Sequence, residues 1–221
     1  MDFFKIIPDR LQDKFVFYNY NHAIEIISTA FPEEWKDIID TLDEFKLYKA
    51  DLAEAGGAET KIPGKIDAVL QPRKWKNIMV MGELSVRYYE RVIDRKQYED
   101  FPVKEHIVPD YLHGQQVDYL KGRVALYLEW NKKDLAFSKV LIDVRRLFEC
   151  KMISAAVIIT RDQSLNDAFK EIPDEAGKPI FRKYGSSSTW MGKLLPKLDS
   201  GEAGGCPVLA IGIKKSCIEE L

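Results

Sequence analysis

Residues 123–161 carry a strand, a helix and a second strand in close succession. Val124, Leu126, Leu128 and Trp130 alternate with Arg123, Ala125, Tyr127, Glu129 and Asn131, which predicts a strand over 123–131 with one apolar face. Val140, Leu141, Val144, Leu147 and Phe148 then fall on one stripe of a helix predicted over 138–149. Ala155–Ile159 is a short apolar run of the kind that forms a buried strand. Two strands joined through a helix pack parallel, because such a crossover returns the chain to the sheet in the same direction. A further strand is predicted at Pro207–Ile213, after the glycine-rich stretch 201–205. The expectation is an α/β chain: a single domain over 1–221 with a central mixed β-sheet flanked by helices.

The first half supplies scaffold. Trp35, Ile38, Ile39, Leu42 and Phe45 recur at helical spacing behind Pro32, a residue suited to a first helical turn. A shorter helix is predicted at Ala23–Thr29. Residues 53–64 read as a loop, and residues 83–100, rich in Arg and Tyr, as an irregular or β-hairpin region able to face a polyanion.

Charge and cysteine usage narrow the classes further. Thirty-three basic and 35 acidic side chains leave a net charge of −2. That excludes a uniformly basic coat for nucleic acid, but not a protein that gathers its cations on one surface. No apolar run reaches the roughly 18–20 residues of a membrane span, and Met1–Pro8 does not resemble a secretory signal. Cys150, Cys206 and Cys217 are odd in number and widely spaced, so they form neither a disulfide framework nor a zinc motif. A reducing, cytoplasmic setting is the expectation. His22, His106 and His113 are too scattered for a metal site.

The chemistry-bearing residues cluster around the alternating strand. Asp118 precedes it, and Glu129 and Asn131 lie two apart on its polar face. Two converging carboxylates repel, and a divalent cation such as Mg²⁺ removes the conflict while supplying a Lewis acid for phosphodiester chemistry. Solvated charges at a strand edge are the alternative that the pattern alone leaves open. The turn Gln71–Asn77, with Arg73, Lys74, Lys76 and Asn77, reads either as a solvated loop anchored by Trp75 or as a phosphate-contacting segment. Arg182, Lys183 and Lys193 are further candidates for phosphate contact. Ser186, Ser187, Ser188 and Thr189 form either a plain flexible loop or a set of hydroxyls able to reach base edges.

The stretch Asp118-Tyr-Leu-Lys-Gly-Arg-Val-Ala-Leu-Tyr-Leu-Glu-Trp-Asn131 and the following Lys132-Lys133-Asp134 resemble the active-site segment of the BglII-like type II restriction endonucleases, of the PD-(D/E)xK nuclease type. Val157–Arg161 is similar to the family's next strand. Asn19–Ala23 with Glu25-Ile26 and Trp35-Lys36, Leu70–Asn77, Lys183–Ser186, Met191–Pro196 and Gly204–Leu209 are similar to further parts of it. The resemblance implies a restriction-endonuclease-like fold and a homodimer. The implied activity is Mg²⁺-dependent, sequence-specific double-strand cleavage of DNA within a restriction–modification pair. It implies that Asp118 and Glu129 bind the metal, that Asn131 orients the attacking water and that Lys132 or Lys133 helps neutralise the developing charge. It implies DNA contacts from Lys74, Lys76, Asn77, Lys183, Ser186, Ser187, Ser188, Thr189 and Lys193. Two registers are open. One places Tyr127 at the family's metal-ligand position, and the other places Glu129 there and Asn131 at the third position. A structure-specific nuclease, or a DNA-binding relative without catalysis, is the alternative function. Several relatives recognise sites centred on GATC, and the resemblance carries that expectation to this chain.

Overall fold

A computed structural model describes residues 3–53, 61–88, 104–133, 135–174, 176–185 and 187–219. In chain order the elements are α1 (Asp9–Gln12), β1 (Phe15–Tyr20), α2 (Ala23–Ala30), α3 (Pro32–Glu44), β2 (Leu47–Tyr48), α4 (Lys49–Ala53) and α5 (Lys61–Leu70). Then follow β3 (Lys76–Tyr88), β4 (Lys104–Lys121), β5 (Val124–Leu128), α6 (Leu135–Glu149), β6 (Ala155–Arg161) and α7 (Gln163–Ala168). The chain closes with α8 (Phe181–Tyr184), α9 (Met191–Asp199), β7 (Val208–Ile213) and β8 (Ile218–Glu219).

Six strands form one mixed sheet in the order β1-β7-β6-β5-β4-β3, so the fold is α/β with helices flanking a central sheet. The strand–helix–strand block is as expected: β5 and β6 run parallel, with Val124 opposite Ala155 and Leu128 opposite Ile159. β7 is parallel to β6, while β1 runs antiparallel to β7 and β4 antiparallel to β5. β2 and β8 pair parallel in a separate two-stranded sheet.

One expectation needs correction. The strand at 124–128 has no polar face: all five residues are buried. It is a central strand covered by helices on both sides, and such strands carry apolar residues on both faces. Leu126, Leu128, Val157, Ile159, Leu209 and Ile211 join a core built with α2, α3 and α5. The other face presents the small residues Ala125, Ala156 and Ala210, all fully buried, while α9 packs on β7 and against α6. A second correction concerns residues 61–64, which begin α5 rather than lying in a loop. Pro63 and Gly64 are breaker signals, yet Ile62, Ile66, Val69 and Leu70 bury one helical stripe and outweigh them. Residues 54–60 lie outside the described residues.

The described chain divides into two compact units, residues 1–78 with 117–221 and residues 79–116. The second unit consists of the distal parts of β3 and β4. Val80, Leu112 and Gln115 are its buried side chains among the described residues, and Gly82 lets the strands close: a Cβ there would meet Leu112 Cδ1 at 3.3 Å. Arg87 belongs to β3 and pairs with Glu105 at 3.2 Å. Tyr89, Arg91, Arg95 and Lys96 lie outside the described residues. No helix among the described residues is long and apolar enough to cross a membrane.

The thiols give a direct check on the packing. Cys206 and Cys217 are buried, which pushes each thiol up to about 12, whereas Cys150 is exposed at the end of α6. A thiol reagent at neutral pH is expected to modify one cysteine in the native protein and all three after denaturation. Rapid modification of all three in native buffer would refute this packing.

Candidate active site

β4 and β5 part at the place where the acidic residues gather. Their antiparallel ladder runs from Lys121 opposite Val124 to Tyr119 opposite Leu126. The turn between them needs Gly122, whose φ of 52° lies in the left-handed region; a Cβ there would also meet Glu34 Oε1 at 2.5 Å. Beyond Tyr119 the backbone pairing gives way. The Leu128 amide donates to Asp118 Oδ2 at 3.0 Å, so a carboxylate takes the place of a strand partner. This opens a cleft of about 360 Å³ lined by Asp67, Asn77, Asp118, Tyr119 and Lys132, among others.

Glu129 is fixed at the end of β5 by its own backbone. Its amide donates to the Ile159 carbonyl at 2.9 Å, and its carbonyl accepts from the hydroxyls of Thr160 at 2.8 Å and Thr189 at 2.9 Å. The side chain is 1% exposed. Lys132 Nζ donates to Oε1 at 2.9 Å, and the buried Oε2 has no hydrogen-bond partner. Burial pushes the Glu129 carboxyl up; Lys132 pulls it back, and the charge of Asp118 pushes it up again. Burial opposes the charge on Lys132, but Glu129 and Asp118 outweigh it and raise its pKa. Asp118 and Lys132 line the cleft, and the charges of both act on the buried Glu129 carboxyl.

These oxygens fit a divalent cation. The charge of Asp118 reaches the Glu129 carboxyl, one buried Glu129 oxygen lacks any partner, and hard oxygens are what such ions prefer. Among the described residues no cluster of three His, Cys, Asp or Glu side chains is placed to hold an ion. Tyr127 differs in kind. It is buried, its hydroxyl lacks a hydrogen-bond partner, and burial followed by the charges of Asp143 and Asp118 drives its pKa far upward. A phenol held protonated is a poor cation ligand.

Asn131 is not where strand alternation puts it. β5 ends at Leu128, and Asn131 adopts a left-handed backbone with φ of 49°. It lines a second pocket, with Arg182 and Ser187, rather than the Asp118 cleft. Lys132 lines the cleft, whereas Lys133 lines the second pocket alone. The sequence signal for Lys132 is a lysine three residues past the acidic strand end.

The candidate DNA contacts fall in several places. Lys74, Lys76 and Asn77 are exposed, and Asn77 lines the Asp118 cleft, where Nδ2 lies 3.4 Å from the Asp118 carbonyl. Trp75 is buried and donates to Asp37 at 2.9 Å, so the turn is anchored in the core. Arg73 is engaged by α3, 2.7 Å from Glu44 and within 4 Å of Asp37 and Asp40. Lys183 is half-buried, 3.4 Å from the Leu52 carbonyl, and Lys193 lines a separate pocket beside Trp190. Ser187 is exposed, but Ser188 is 8% exposed and Thr189 fully buried. Both tie the loop to its surroundings: the Thr189 amide donates to the Lys132 carbonyl at 2.9 Å, and Ser188 donates to the Tyr184 and Gly185 carbonyls. Ser186 lies outside the described residues.

Arg161 was not singled out by the sequence pattern. It is 1% exposed, and its guanidinium donates to Ser188 Oγ and to the Thr189 carbonyl. Its only sequence signal is a charge at the end of an otherwise apolar strand.

Among curated proteins none matches the chain. The family model for restriction endonuclease BglII/BglIII matches residues 15–213. That span opens on the first residue of β1 and closes on the last residue of β7, so it takes in the whole mixed sheet together with Asp118, Glu129 and Lys132. Membership of such a family implies a site-specific deoxyribonuclease with DNA as substrate, and restriction endonucleases generally use divalent metal ions. By a match that covers nearly all of its length, the chain belongs to the BglII/BglIII restriction endonuclease family.

Proposed function

We propose that this chain is a type II restriction endonuclease that makes Mg²⁺-dependent double-strand cuts at a specific DNA sequence, working as a homodimer. The observation that supports the reading is a cleft lined by Asp118 and Lys132, with Lys132 also bonded to the buried Glu129 at 2.9 Å. Asp118 and Glu129 would hold the divalent cation, and the unpartnered Glu129 Oε2 supports that role over Tyr127. When bound, such an ion lowers the pKa of water and offsets charge on a phosphodiester.

The protein's own groups do the rest. The bonds from Ile159, Thr160 and Thr189 hold Glu129 in place before substrate arrives, so little reorganisation is needed during the reaction. Lys132 keeps its ammonium group at the cleft and offsets the negative charge that builds on the phosphate. In the reaction a water oxygen bonds to phosphorus, the bond to one deoxyribose oxygen breaks, and the proton passes to the departing oxygen. Of the two lysines expected to offset that charge, Lys132 is the one that lines the cleft, while Asn131 lines the neighbouring pocket. A cut in both strands at a two-fold symmetric sequence calls for two such clefts, which is the reason for a homodimer.

Digestion of a sequenced plasmid tests the reading. With Mg²⁺ the expected product is a small set of sharp fragments with common ends, and chelation abolishes it. A smear or nicking alone would favour a structure-specific nuclease. A gel shift without cleavage at any divalent ion would favour a non-catalytic DNA-binding relative.

A further inference from the structure

Beside the cleft lies a second pocket of about 260 Å³, to which Lys132, Lys133, Arg182 and Lys183 all contribute. These four cations come from two segments some fifty residues apart in sequence. They are held together by backbone: Lys133 and Ser188 form an isolated β-bridge, and the Thr189 amide donates to the Lys132 carbonyl. Among the described residues that line the pocket there is no Asp or Glu. Lys132 is paired with Glu129 at 2.9 Å, so Lys133 and Arg182 are the cations that no carboxylate in this described lining offsets, and an anion there lowers the cost of holding them together.

Behind the pocket the same charge pattern continues. Arg161 is buried and meets hydroxyl and carbonyl oxygens rather than a carboxylate. The rings of Tyr184, Phe169 and Trp130 lie 5.2, 5.4 and 5.9 Å from its guanidinium carbon. Those faces stabilise a cation without neutralising it. Burial pulls the Arg161 pKa down to about 10, which still leaves it charged at neutral pH. Ser188, a partner of Arg161, lines the pocket, so a fixed positive charge stands behind the pocket wall.

We propose that this pocket seats a DNA backbone phosphate other than the one that is cut, with Lys133 and Arg182 as its contacting cations and Lys132 as the residue it shares with the Asp118 cleft. The proposal rests on the nuclease reading for its choice of anion. Lys132 lines both spaces, so the polymer that fills one presents its next charges to the other. A phosphodiester is a singly charged anion with oxygens for lysine, arginine and hydroxyl donors, which is the set found here. The seat adds affinity and fixes the register of the strand; it carries out no chemistry.

The test is binding of a fluorescent duplex in Ca²⁺ buffer across a salt series, for wild type and for K133A/R182A. Each lost phosphate contact lowers the slope of log affinity against log salt by about 0.9. The double variant is expected to lose about that much, while K36A, in a surface pair on α3, keeps the wild-type slope. The charge-conserving K133R/R182K is expected to keep it too, which separates the charge from any structural role. An unchanged slope in K133A/R182A, or an equal loss in K133R/R182K, would overturn the proposal. Binding needs no cleavage, so a chain that bound DNA with this slope change but cut nothing would refute the nuclease reading and leave the phosphate seat standing.

Discussion

Glu129→Gln and Asp118→Asn are each expected to lower the rate of plasmid cleavage by at least about a hundredfold, the scale on which charge stabilisation of a transition state operates. The two changes act differently. Asp118 is partly exposed, and its Oδ2 also secures the Leu128 amide, so an amide in its place keeps one acceptor there but loses the charge. Glu129 is buried, with one oxygen on Lys132 and one unpartnered. Its burial has a consequence for stability. A carboxyl raised by folding stabilises the native state below its unfolded pKa, and that contribution is lost as pH rises through the native pKa. Glu129→Gln should therefore raise the melting temperature at neutral pH in the presence of a chelator, and the gain should vanish in acid. Loss of activity together with gain of stability is the signature of a residue kept for its reaction. Full cleavage by both variants would remove Asp118 and Glu129 from the site.

Lys132→Met is expected to slow cleavage by about a hundredfold, comparable to removal of one preorganised donor, while Asn131→Ala changes it only a few-fold. The contrast follows from where the side chains lie. Lys132 lines the cleft and holds Glu129, whereas Asn131 lines the neighbouring pocket. Without Lys132 the buried carboxylate loses its cation. Breaking a fully buried pair costs about 3–5 kcal/mol, and the half-exposed lysine brings the figure well below that. The remaining cost makes the Glu129 carboxyl harder to ionise, so the Lys132→Met defect should be relieved in part as pH is raised. Rates with Asn131→Ala as low as with Lys132→Met would return the third position to Asn131.

The parts of this fold that sequence periodicity reveals are those decided locally. α3, α6, β6 and β7 each bury a stripe or run that repeats within a few residues. The direction of Asn131 was not legible, because it depends on where β5 stops. That end is fixed by Thr160 and Thr189, 31 and 60 residues further along the chain. Thr189 likewise reads as a surface hydroxyl until the fold turns it onto the Glu129 carbonyl. Asp118 and Glu129 were singled out through the family resemblance, since their spacing alone leaves solvated edge charges open. Arg161 was not, since nothing local distinguishes a buried guanidinium from a charge at the end of a strand.

β1 and β7 are neighbours in the sheet, with Phe15 opposite Ile213 and Tyr20 opposite Val208. β1 thus finds its partner only after everything between residues 20 and 208 has been made. Pairing over such separations is slow to form. A product halted before residue 208 lacks β7 and leaves both β1 and β6 with open edges. For a protein whose proposed chemistry severs chromosomes, that order of assembly delays any danger to the producing cell until β7 has been made.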